Sequence, residues 1–266
     1  MKFKFSLPIV IGVGLLIFGG TSFFLSFLFD SLSLTFIGLG LTFWGILLLY
    51  IRPARYVRKD ILDALLLNPL LSFNKLIGDL NPQGKGIYLP PRTLRELVDI
   101  VLFIPFEKDT IIPPVEEKLE DIIYVSNPHG IYLRPIGLDL AKKFEEELRI
   151  DWNRVNLNYL QKNLPRVLIE YLELAEDLEI EIKGNVVHVK IIQPVLKEVY
   201  SKLTNLGEKV GDPISSSIAC ALAKVCGRPI IIDSITLSSN SEVIEIYYRI
   251  LENEEMYSIL NHATNI

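Results

Sequence analysis

Three consecutive serines, Ser215, Ser216 and Ser217, follow Asp212-Pro213-Ile214 and precede a run of small apolar residues ending at Cys226-Gly227. An aspartate followed by proline marks a helix start, and a glycine such as Gly227 marks a helix end. The serines therefore fall in a first turn, where backbone N–H groups lack intrahelical partners and the helix dipole is positive. Such a turn can hold a phosphate or a carboxylate. The same hydroxyls can instead cap the helix and fill a tight contact between helix and sheet. Asp212, itself anionic, weighs against a second anion. Neither Gly-x-Gly-x-x-Gly nor P-loop spacing accompanies the serines.

The other reactive side chains do not assemble. Cys220 and Cys226 are six apart, point to different helix faces and read as buried thiols. His129 falls in a turn, His188 on the polar side of a strand and His262 in the tail, at no spacing that makes a metal site or a triad. Only His129 or His188 beside Ser215 to Ser217 would make a hydrolase. Glu170, Glu173, Glu176 and Asp177 form an acidic strip that reads as a solvated helix face. The sequence thus calls for no catalytic set, no metal and no cofactor.

The elements that would position these residues come after an apolar beginning. From Leu7 to Ile51 the only charge is Asp30. Two runs, Leu7–Phe29 and Leu32–Ile51, each have about the 20 residues that cross a hydrocarbon core. Asp30-Ser31 is a tight turn, so the two are antiparallel. Lys2 and Lys4 precede them, Arg52, Arg55, Arg58 and Lys59 follow, and the turn carries no Lys or Arg. Positive charge on one side places both termini in the cytoplasm. The basic cluster suits anionic headgroups. A cleaved signal peptide is the rival reading, but the first run is long and lacks a small-x-small site. Gly12, Gly19 and Ser26 recur every seven residues, and Thr35, Gly38, Thr42 and Gly45 share a face of the second run. Small faces let helix backbones approach closely, within one chain or between copies.

The remainder reads as α+β, with mostly antiparallel hairpins packed against helices. Its organisation is expected to be a transmembrane hairpin over 1–52, a juxtamembrane helical linker over 53–80, a cytoplasmic domain over 81–252 with a sub-boundary between 135 and 150, and a tail over 253–266. Within the linker, Asn68-Pro69 should end one helix, and Leu70–Leu80 should form another. As an alternative to the strand reading of the segment that follows, a capping box at Thr93 and Glu96 would start a helix from Leu94. Short buried strands are expected at 86–89, 100–104, 121–125 and 131–133. Gly86-Ile87-Tyr88-Leu89-Pro90-Pro91 echoes Gly130-Ile131-Tyr132-Leu133-Arg134-Pro135, which suggests two equivalent strand-turn units. Lys142, Lys143, Glu145, Glu146 and Glu147 read as the solvated face of a helix over 136–149. A helix over 156–177 should kink at Pro165, and another spans 195–206. Period-two hairpins turn at Gly184-Asn185 and at 238–241.

A net charge of −5 argues against nucleic-acid binding. Abundant Ile, Leu, Glu and Lys with little Gln, Met, Cys or His fits a thermophile. The segment from Asp212 to Pro229 and the stretch Gly86–Pro91 resemble shared segments of a group of uncharacterised archaeal membrane proteins with a two-helix anchor and a cytoplasmic α+β domain. The resemblance covers the hairpin and most of the remaining chain. It implies an archaeal source and brings no activity. The expectation is a non-enzymatic, membrane-tethered binding or scaffold protein, with the lipid bilayer and a protein or second copy as partners. The alternative is a sensor of a small anion at Ser215 to Ser217.

Overall fold

The computed structural model describes residues 7–50, 59–91, 99–107, 124–126, 129–195, 207, 209–238, 240 and 242–252. The expected helix over 195–206, the Thr93–Glu96 box and the tail from 253 lie essentially outside them. The chain divides into two compact units, Met1–Arg58 and Lys59–Ile266.

The first unit is a pair of helices, α1 (Leu7–Phe29) and α2 (Leu32–Tyr50). Asp30 takes a left-handed conformation (φ 46°) that reverses the chain. Short polar side chains tolerate this region better than other non-glycine residues.

The second unit starts with α3 (Lys59–Leu80) and continues through β1 (Ile87–Leu89), β2 (Val101–Pro105), β3 (Tyr124–Ser126) and β4 (His129–Leu133). Next come α4 (Leu138–Leu148), a 3-10 turn (Trp152–Arg154), α5 (Leu157–Arg166) and a π turn (Val167–Tyr171). The hairpin β5 (Asp177–Lys183) and β6 (Val186–Ile192) precedes α6 (Pro213–Cys226), and β7 (Ile230–Leu237) with β8 (Val243–Ile250) closes the order. The strands form one eight-stranded sheet in the order β3-β4-β2-β1-β7-β8-β6-β5. Every pairing is antiparallel.

Alternation decides which face is covered. Val187, Val189 and Ile191 on β6 share a buried cluster with Ile244, Ile246 and Tyr248 on β8. Helices α4, α5 and α6 and the Trp152 turn pack into that cluster. On the opposite face a smaller cluster joins Ile87, Leu89, Phe103, Tyr132 and Ile231. Beside it, β5 and β6 turn Glu179, Glu181, Lys183, His188 and Lys190 away from the core.

Three expectations require correction. Helix α3 does not end at Asn68-Pro69 but runs through Pro69. An interior proline costs ~3 kcal/mol. Leu70 and Ile77 are buried in the core beyond it, with Leu66 and Leu67 packed before it, and that burial outweighs the lost hydrogen bond. Residues 59–80 are thus part of the second unit's fold. The helix from Asn156 also stops early: Pro165 is followed by the π turn, and Asp177 already begins β5. Finally, the two echoed segments are not equivalent units. Both flank β2, but Ile87 and Tyr132 are the residues opposite Phe103, while Tyr88 and Leu133 lie opposite Leu102. The registers differ by one residue, so matching side chains face opposite sides of the sheet.

Candidate functional site

Helix α6 starts as its sequence dictates. Asp212 is extended (φ −84°, ψ 174°), and its Oδ1 accepts from the N–H groups of Ile214 at 2.8 Å and Ser215 at 3.1 Å. Asp212 N–H donates to Ser215 Oγ at 3.0 Å, and that hydroxyl donates to the Asp212 carboxylate, which completes a capping box. Ser216 N–H is taken by the Asp212 carbonyl at 2.8 Å.

The remaining hydroxyls are engaged as well. Ser216 Oγ accepts from Gly137 N–H at 3.1 Å, and Ser217 Oγ donates to the Ile214 carbonyl at 2.7 Å. Gly137 lies on the turn itself: a Cβ there would collide with the Ser217 backbone nitrogen. Tyr248 OH donates to the Ser215 carbonyl at 3.0 Å, and Tyr88 OH donates to the Val210 carbonyl. Burial pushes both phenols well above the usual tyrosine range, so they remain neutral donors. Ser215, Ser216 and Ser217 are fully buried. The positive end of α6 is met by the chain's own carboxylate, and its first turn is covered by the backbone at Gly137.

The other end of α6 borders an open cleft of about 790 Å³ lined by residues including Glu145, Arg149, Ile150, Asp151, Arg154 and Lys224. Lys224 is the one charged residue of α6. Its ammonium donates to Glu145 Oε2 at 2.8 Å, and the two side chains are only 20% and 17% exposed. Glu145 Oε1 accepts from Trp152 N–H at 2.9 Å. Glu145 therefore does not belong to the solvated face expected of α4: its carboxylate joins α4, α6 and the Trp152 turn. Asp151 caps that turn, and the hydrogen bonds from Asn153 hold its carboxyl below the usual carboxylate range. Arg154 Nε lies 3.7 Å from Asp151. The cleft thus presents charges of both signs around apolar Ile150 and Val155.

No other cluster supplies chemistry among the described residues. His188 stacks on Tyr247 with ring centroids 4.4 Å apart, on the face of the sheet away from α6. His129 hydrogen-bonds Tyr124. Neither histidine approaches the α6 serines, whose hydroxyls are bonded elsewhere. Among the described residues no three His, Cys, Asp or Glu side chains converge as metal ligands. Cys220 is buried and Cys226 half-buried, and burial pushes the Cys226 thiol up to about 11.

In the hairpin, the small residues lie between α1 and α2. A Cβ on Gly19 would stand 2.6 Å from Thr42 Oγ1, one on Gly38 would stand 2.9 Å from Phe23 N, and one on Gly45 would stand 3.0 Å from the Gly12 carbonyl. Ser26 and Thr35 hydrogen-bond each other across the pair. Gly14, Gly20 and Gly40 have open space instead. Arg52, Arg55 and Arg58 lie outside the described residues, as does the side chain of Lys59.

Sequence reasoning missed the Glu145–Lys224 pair and the two tyrosines over α6. One signal was present. A single lysine in an otherwise apolar buried helix requires an acidic partner.

No curated protein and no solved structure matches the chain. A family match covers residues 10–248, which takes in most of the hairpin and nearly all of the α+β unit. The chain belongs to that family, the domain of unknown function DUF7982.

Proposed function

We propose that the chain is a two-pass protein of the cell membrane, with both ends in the cytoplasm, whose α+β unit is a non-enzymatic binding module for a protein partner. The observation that carries the reading is the outer surface of the hairpin. Only 17% of the first apolar window and 11% of the second are buried, and Phe18, Phe24, Phe27, Phe36 and Ile46 stand exposed. An apolar helix in a water-soluble core is buried all round, as α6 is. A cleaved leader would remove half of a closely packed pair. The family match spans both units, which supports reading the hairpin as part of the mature chain.

The cleft at Glu145 and Lys224 supports the binding role, because it offers mixed charge around Ile150 and Val155, with Lys224 and Arg154 facing carboxylates of the same cleft. Pull-down from native membranes should return a stoichiometric partner or a second copy. Arg149→Glu with Arg154→Glu should abolish that retention. Sedimentation as a monomer, with no partner recovered, would count against the module. For the anion-sensor alternative, the first-turn amides and hydroxyls of α6 already have internal partners. Phosphate, nucleotides and carboxylates should accordingly leave the melting temperature unchanged.

A further inference from the structure

Helix α3 carries an apolar stripe that the fold does not use. Ile61, Leu65, Pro69, Ser72, Leu76 and Leu80 succeed one another by steps of four, four, three, four and four. At 3.6 residues per turn these steps keep all six within an arc of about 100°. The four large side chains are 46%, 64%, 54% and 40% exposed. On the opposite side Leu70 and Ile77 are buried in the core. Asn68 and Lys75, also exposed, form a polar rim along one edge of the stripe, and exposed Asp79 lies on that edge in line with Ile61. An ordinary surface helix turns its polar residues to water across the whole face opposite the core. This helix leaves only a narrow polar edge there.

We propose that this stripe lies in the headgroup–acyl boundary of the bilayer, so that α3 is an interfacial helix as well as a core helix. The assignment rests on the two-pass reading above. Residues 51–58 separate the end of α2 from the start of α3, and a chain of that length reaches at most about 30 Å. The sequence there and at the start of α3 is basic, with Arg52, Arg55, Arg58 and Lys59, which suits an anionic lipid surface. Helices with one apolar face and a polar rim bury that face in such an interface. The exposed position of Pro69 fits the same picture: the proline lies on the stripe and not on the core side.

The test is spin-label depth measurement on the full chain in phosphatidylcholine–phosphatidylglycerol vesicles. Single labels are placed by Leu65→Cys, Leu76→Cys, Lys75→Cys and Glu181→Cys in a Cys226→Ser background, Cys220 being fully buried. All four positions are exposed, so folding is not at stake. At 65 and 76 collisions with oxygen should exceed those with a water-soluble nickel chelate several-fold, with the reverse at 75 and 181. Chelate access at 65 and 76 equal to that at 75 overturns the assignment. Protection from both reagents, with spin–spin broadening between copies, also overturns it and makes the occupant a second chain. Labels at Phe24→Cys and Phe36→Cys separate the stripe from the two-pass reading beneath it. If they report lipid while 65 and 76 report water, the stripe alone is wrong. If they report water, the two-pass reading fails and takes the stripe with it.

Discussion

Replacing Lys224 by methionine should destabilise the α+β unit, and a second substitution should restore it. Methionine keeps the length and apolar stem of lysine but removes the ammonium, which leaves Glu145 ionised beside Trp152 and nearly out of water. Breaking a buried ion pair from one side costs about 3–5 kcal/mol, whereas an exposed pair is worth under about 1 kcal/mol. With the side chains 17% and 20% exposed, the cost should lie toward the buried limit, about 2–3 kcal/mol. Adding Glu145→Gln removes the stranded charge, and the amide oxygen still accepts from Trp152 N–H, the bond that spans 2.9 Å in the native chain. The double variant should therefore return to within about 1 kcal/mol of the parent, the ordinary worth of one hydrogen bond. Trp44 and Trp152 are the only tryptophans. In a Trp44→Phe background, Trp152 fluorescence then tracks urea unfolding of this unit in micelles. With a slope of about 2 kcal/mol per molar, Lys224→Met should lower the midpoint by about 1 M. A midpoint that does not move, or a double variant as unstable as the sum of the singles, would show that Lys224 does not neutralise a buried Glu145 charge.

Further tests address the close contacts and the buried hydroxyls. Gly19→Leu should split or loosen the hairpin, because its Cβ would collide with Thr42, whereas Gly20→Leu, with open space around it, should not. Energy transfer between labels at the two helix ends distinguishes them. Gly137→Ala should cost at least about 2 kcal/mol, the middle of the range for overpacking, since the atoms it meets are backbone of α6; urea unfolding reads this. Stability should also fall at alkaline pH. Tyr88, Tyr248 and Cys226 hold their protons more tightly folded than unfolded. Above the ordinary thiol pKa the unfolded chain binds fewer protons, so the unfolding free energy declines as pH rises. For Cys226 that decline runs between pH 9 and about 11, and Cys226→Ser should make it shallower there while leaving the share of Cys220, whose thiol burial also pushes up.

Local chemistry was legible in the sequence, and long-range pairing was not. Asp212, Pro213 and Gly227 mark both ends of α6 because capping depends on a few adjacent residues. The alternation around Gly184-Asn185 gives the β5–β6 hairpin for the same reason. The pairing of β1 with β7 joins Tyr88 to Ile230, far along the chain, and nothing in either segment names the other. The role of the serines was open at the level of sequence because a ligand and a helix cap use the same N–H groups. Gly137, which lies on the first turn, is distant in sequence and carries no mark of that contact. Pro69 and Pro165 show the limit of breaker rules. Tertiary burial carries α3 straight through the first, and a π turn absorbs the second.

The proposed topology, a hairpin that crosses the bilayer twice with both ends on one side, has a direct test. Single cysteines at Lys2, Ser31 and Glu252, in a background lacking Cys226, can be challenged with a membrane-impermeant maleimide in sealed vesicles of known orientation. Positions 2 and 252 should react from the cytoplasmic side and position 31 only from the other. Reaction of position 31 from the same side as 252 would contradict the two-pass topology.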